Sequence, residues 1–147
     1  MPSIKNVCDA GAWLDQSTSS IATKRLGWLK KRALLSQSTV SGEKAHNGPS
    51  SRWFDVQCPT IVGSVHGKIY KVAITITAPI ISPYEIVQKT AEIITNALGS
   101  APIELPSEIL LWDGDDGNVV VQPVPNSIPT AVMVFLTSNA VRSYVGK

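Results

Sequence analysis

Residues 24 to 32 read Lys24-Arg25-Leu26-Gly27-Trp28-Leu29-Lys30-Lys31-Arg32, five cations around one tryptophan and two leucines. Cations at this density attract phosphate, whether of a lipid headgroup or of a nucleic acid. At an anionic bilayer each Lys or Arg near the surface contributes about 1 kcal/mol, so five give ~5 kcal/mol at most. Trp28 and the leucines suit insertion at the headgroup level. Lys24, Arg25, Trp28, Lys30, Lys31 and Arg32 are therefore the candidate membrane-binding residues. The plainer reading is a solvated helix held on the body by Leu26 and Leu29. The body has few aromatics for stacking RNA bases, and no RRM, KH or zinc signature occurs.

Other residues that could do chemistry fall short of a site. Gly63-Ser64-Val65-His66-Gly67-Lys68 has three residues between its glycines, where a Walker loop has four, and Ile69 follows the lysine. A hairpin turn fits it better. Asp113, Asp115, Asp116 and Asn118 suggest calcium, but the twelfth position counted from Asp113 is Val124 rather than Glu. A polar β-turn is the expectation there. His46 and His66 lie outside any Cys/His ligand spacing. Ser, Cys and His stand in no nucleophile setting, and Glu85 and Glu92 are two helical turns apart. No catalytic residue, metal site or cofactor is expected, and the chain reads as a non-enzyme.

Charge divides the chain. Residues 1–52 hold eight basic and three acidic residues, net +5, and residues 53–147 hold five basic and eight acidic, net −3. A basic arm on a mildly acidic body is expected, with the boundary in the Ser-, Gly- and Asn-rich residues 36–51: arm and linker 1–51, globular domain 52–147. A chain starting near Ser50 is then expected to fold alone. Only 16% of residues are charged, against about 25% in ordinary domains, which favours self-association. Cys8 and Cys58 are too few and too far apart for a disulfide framework. No apolar run follows a basic start, and Pro2 excludes myristoylation. The protein is expected inside the cell, with reduced thiols.

The elements that must position these residues follow from periodicity. Ala22, Leu26, Leu29 and Ala33 share one face of a helix expected over 21–35, weakened at Gly27. Residues 53–56 read as a short strand and Gly63 to Gly67 as a turn. Lys68 to Ala78 is a strand in which Tyr70, Val72, Ile74 and Ile76 alternate with Lys71, Ala73, Thr75 and Thr77. Ser82, Pro83 and Glu85 form a capping box opening a helix to Gly99, with Ile86, Thr90, Ile93 and Ala97 on one face, widened by Val87 and Ile94. Ile109–Trp112 and Val119–Val121 make a hairpin across Asp113–Gly117. Pro123, Pro125 and Pro129 mark a loop, residues 130–137 a buried strand, and the tail a short helix. The class is α+β, with a mainly antiparallel sheet and one packed helix behind a flexible basic arm.

The run Lys71-Val-Ala-Ile-Thr-Ile-Thr, then Pro79, Pro83-Tyr84 and a helix, resembles the matrix proteins of rhabdoviruses. The link Ala97-Leu98-Gly99-Ser100-Ala101-Pro102-Ile103 into the strand Ile109–Trp112 continues the resemblance, which covers about 45 residues, and the basic stretch before a linker suits the same layout. Ser82-Pro83-Tyr84-Glu85 lacks the first proline of PPxY, and Thr77-Ala78-Pro79 lacks the leading proline of PTAP. The resemblance implies a viral structural protein at the inner face of the virion membrane and in the host cytoplasm. It implies binding to anionic lipid, self-association and condensation of the nucleocapsid. It further implies an N-terminal segment that docks on a neighbouring molecule. Trp13, Leu14, Leu26, Trp28 and Leu29 are the candidate self-association residues, on a linker of root-mean-square span roughly 20–25 Å. Heterologous docking of that kind would propagate into filaments or sheets. The alternative is a small accessory protein that binds nucleic acid through the same cations.

Overall fold

The computed structural model describes residues 3–24, 31–32, 42–77, 83–124 and 131–145. Eight strands form one antiparallel sheet: β1 (Lys31–Arg32), β2 (Lys44–Asn47), β5 (Thr60–Val65), β6 (Lys68–Thr77), β7 (Ile103–Leu105), β8 (Ile109–Asp113), β9 (Gly117–Val124) and β10 (Ala131–Ser138). Their order across the sheet is β1-β2-β5-β6-β10-β9-β8-β7. β3 (Ser51–Trp53) and β4 (Val56–Cys58) make a separate hairpin, and α1 (Thr18–Lys24), α2 (Pro83–Leu98) and α3 (Val141–Val145) complete the described elements. The expected class is borne out: α+β, mainly antiparallel, one domain.

α2 lies over β9 and β10. Gly99, at φ +72°, closes it by donating to the Thr95 carbonyl at 2.7 Å, the left-handed C-terminal cap that glycine allows. Its inward face is rotated from the expected one. Ile86, Thr90, Ile94 and Leu98 are buried, whereas Ile93 is 37% exposed. A twisted sheet meets the oblique i+4 ridge of a helix rather than a straight stripe. Trp112 of β8 is buried beneath it and donates from Nε1 to Thr95 Oγ1 at 3.3 Å. Ser82 of the expected capping box lies outside the described residues.

Several turns are tighter than expected. β5 continues to Val65, and only His66 and Gly67, at φ 53° and 77°, connect it to β6. Phe54 and Asp55, at φ 52° and 62°, likewise join β3 to β4, where a single strand was expected. Two consecutive positive φ values give the type I′ turn that matches strand twist. The expected hairpin across residues 113–117 and the short C-terminal helix are present, and the strand expected over 130–137 is found at Ala131–Ser138. Pro123 belongs to β9 rather than to a loop, and β7 was not foreseen.

The largest correction concerns the N-terminal 51 residues. Ile4, Val7, Ala10, Leu14 and Ile21 are buried in the same cluster as Val72, Ile74, Val119 and Leu136. Residues 4–6 and 9–13 form 3₁₀ turns, and α1 starts at Thr18, where Ser17 Oγ caps the Ser19 N–H at 3.2 Å. Residues 44–47 are strand rather than linker, and Lys31 and Arg32 pair as strand with His46 and Ala45 rather than continuing a helix. The ladder beside β5 offers their backbones bonds, while Gly27 interrupts the helical pattern in the sequence. An apolar segment gains more by covering an open core than by remaining in water. The expected boundary at residue 52 is thus replaced by one domain that includes residues 3–24 and 42–51.

Three carboxylates fasten this strap. Asp9 accepts from Ser51 Oγ at 2.5 Å and the Arg52 N–H at 3.2 Å. Asp15 accepts from Ser138 Oγ at 2.8 Å and pairs with Lys5 Nζ at 3.1 Å. Asp116 accepts from the Ser3 hydroxyl and from the Ile4 N–H at 3.0 Å. Burial pushes the Asp116 carboxyl up, but these bonds outweigh it and hold it below its ordinary value.

Leu14→Ala should cost about 2–5 kcal/mol in urea unfolding, and a chain beginning at Ser50 should fail to melt cooperatively. The depressed Asp116 carboxyl contributes stability above about pH 4 that is lost as acid protonates it in the folded state. The protection factor of the Ile4 amide, corrected for the intrinsic exchange rate, should therefore fall on acidification before those of β10, and Asp116→Asn should weaken that pH dependence.

Candidate anionic-surface interface

Described residues that precede and follow the basic segment in sequence are held by one hairpin, β5–β6. On the leading side, the Asp15 N–H donates to the Ile69 carbonyl at 2.6 Å, and the Ile69 N–H donates to the Gln16 carbonyl at 2.9 Å. The Thr18 N–H donates to the Gly67 carbonyl at 2.9 Å. On the returning side, Glu43 reaches the next two residues of β6. Its carboxylate accepts from the Tyr70 hydroxyl and stands 3.6 Å from Lys71 Nζ.

Adjacent strand residues ordinarily point to opposite faces. Tyr70 and Lys71 converge because β6 is bulged: Gly63 faces Lys71 and Ser64 faces Ile69, which leaves Tyr70 as the extra residue. Lys71 Nζ then lies 5.4 Å from the Tyr70 ring centroid. The bulge overturns the expected alternation. Ile69 joins Val72, Ile74 and Ile76 in the main core, and Tyr70 packs instead with Val65 and Val141. Gly63 supplies the space, since a Cβ there would stand 3.1 Å from Glu43 Oε2. The Glu43 and Lys71 side chains are 1% and 4% exposed, so the pair is sealed from water.

Of the residues named from sequence, Lys24 ends α1 and Lys31 and Arg32 constitute β1. Arg25, Leu26, Trp28, Leu29 and Lys30 lie outside the described residues. Of the expected self-association residues Trp13 and Leu14, only Leu14 is fully withdrawn from the surface. Leu14 is fully buried, and Trp13 packs against the core, close to Gly48. Glu43, Tyr70 and Lys71 were missed as a set. A lysine between Tyr70 and Val72 in a largely apolar strand was the available signal, but nothing local names its partner 28 residues upstream.

The remaining reactive groups are quiet. Burial pushes the Cys8 thiol up to about 11 and raises the Cys58 thiol too, which leaves little thiolate at neutral pH. Among the described residues no cluster of His, Cys, Asp or Glu could hold a metal ion, and no helix is long and apolar enough to cross a membrane. Compared with protein-family models, curated proteins and solved structures, the chain finds no match.

Removing one member of a buried ion pair leaves the other charge stranded. Glu43→Ala and Lys71→Ala should each cost about 3–5 kcal/mol. A Glu43→Gln, Lys71→Met double variant should recover part of that loss in the same unfolding measurement.

Proposed function

We propose that this protein is a matrix-type structural protein. It binds the inner face of an anionic membrane, self-associates, and links that membrane to a nucleocapsid during virion assembly. The observation that carries the reading is the basic, tryptophan-bearing sequence 24–32, with residues 15–18 before it and Glu43 after it both bonded to the β5–β6 hairpin. A tethered cationic segment loses less conformational freedom on docking than a free tail, so more of its electrostatic attraction survives as affinity. Trp28 with Leu26 and Leu29 adds an apolar element that a bilayer rewards and a phosphate backbone does not. The resemblance of residues 71–112 to rhabdovirus matrix proteins supports the same reading. Self-association then falls to Leu26, Trp28 and Leu29 and to the outer surface of the body, because Trp13 and Leu14 serve the chain's own core.

Co-sedimentation with phosphatidylserine-containing and with neutral vesicles tests the membrane reading. The chain should bind the anionic vesicles only, and binding should fall as salt rises. Lys30→Glu, Lys31→Glu and Arg32→Glu together should abolish it. Equal binding to both vesicle types would sink the reading, and binding to RNA but to neither vesicle would favour the nucleic-acid alternative.

A further inference from the structure

Among the described residues, α2 and the N-terminal strap cover one face of the sheet. Val134, Leu136, Val119, Val121 and Trp112 point into the core beneath them. Their neighbours along each strand point the other way. Direct cross-strand partners share a face. Ala73, Phe135, Val120, Leu111 and Ile103 are each paired with the next, so they form one row across β6, β10, β9, β8 and β7. A second row, two residues along the same strands, holds Thr75, Met133, Gln122, Ile109 and Leu105. No member of either row is charged. Ala73 and Phe135 are buried, Val120, Leu111, Met133 and Ile109 are half-buried, and Ile103 and Leu105 are 51% and 40% exposed. Among the described residues, neither buried cluster takes in a member of these rows.

We infer that this charge-free face is the contact between two copies of the chain, packed sheet against sheet. The inference deepens the self-association in the reading above and does not rest on its membrane part. The patch is five strands wide at about 4.8 Å each and about 17–20 Å long, so each copy offers about 400–500 Å². The pair would bury about 800–1,000 Å², the low end for specific interfaces, which suits a weak, reversible dimer. Two identical faces meet without repulsion only where they carry no uncompensated charge. Lys71, on the same face beyond the row, is already neutralised by Glu43. A two-fold axis along β9 brings Val120 onto itself, Leu111 over Phe135 and Ile103 over Ala73. The most exposed side chain of the patch then meets the smallest. Sheets stacked in this way sit about 10 Å apart with their side chains interleaved. Growth from edge to edge is disfavoured, because Pro102 and Pro106 flank β7.

Sedimentation equilibrium of the full chain tests this. Monomer and dimer should coexist, with the dimer fraction rising over roughly 10–1,000 μM. Ile103→Lys should weaken dimerisation at least about tenfold, since the change is made twice across the axis. Ile103→Lys with Leu111→Lys should abolish it. Ile93→Lys, at an exposed apolar position on α2, should leave it unchanged. Equal melting temperatures should show that the variants fold, and Ile103→Lys alone carries the test if the double variant does not. If Ile103→Lys dimerises as the unaltered chain does, the face is overturned and self-association through other residues stands. If the unaltered chain stays monomeric throughout, the inference and the self-association in the reading both fall, while membrane binding is decided by the vesicles. Open-ended polymers in place of a dimer would overturn the two-fold contact. A monomeric chain whose binding to phosphatidylcholine vesicles is lost on Ile103→Lys would assign the face to lipid and overturn the inference.

Discussion

The architecture depends on one two-residue turn. His66 and Gly67 return β5 onto β6, and the first residues of β6 then hold three separate parts of the chain. Residues 15–18 bond to Gly67 and Ile69, Glu43 closes on Tyr70 and Lys71, and Val141 packs on Tyr70. The bulge at Tyr70 makes this possible, because a regular strand would send Tyr70 and Lys71 to opposite faces. Without it, Glu43 would have no inward-facing cation, and the return of the basic segment would lack its fastening.

The strap and the hairpin support each other. Ile4, Val7, Ala10 and Leu14 cover core that the sheet and α2 leave open, and three carboxylates align that cover. Much of this attachment is polar and lies at the periphery, whereas the centre of the sheet is held by apolar packing. The same chain therefore combines a rigid middle with a fastened segment whose release has its own chemistry.

How much of this was legible follows from where each signal resides. α2 announces itself through Pro83, the apolar ridge and Gly99, all within one local stretch. β6, the β8–β9 hairpin and β10 announce themselves through β-branched runs bounded by turn residues. The strap does not, because its fastenings span 113 residues from Ser3 to Asp116 and 123 from Asp15 to Ser138. Its apolar residues do recur at 4, 7, 10 and 14, close to the period of three that 3₁₀ turns favour, but short 3₁₀ runs leave no capping or propensity signal to confirm it. The cations 24–32 could be seen from composition alone. That Glu43, Tyr70 and Lys71 meet at one hairpin could not, since register and bulge decide it.

The strand β7 bears on how large any assembly of this chain can become. It is the far edge of the sheet, three residues long, bracketed by Pro102 and Pro106, with Glu104 between exposed Ile103 and Leu105. A proline lacks the N–H that an incoming strand would use, and a carboxylate in the pairing zone repels a second copy of itself. Hydrogen-bonded templating, the route by which open sheets fuse irreversibly into fibrils, is blocked after a few bonds. Copies that meet at this edge can do so only through side chains. Contacts of that kind lack the continuous backbone ladder that makes fused sheets so hard to dissociate.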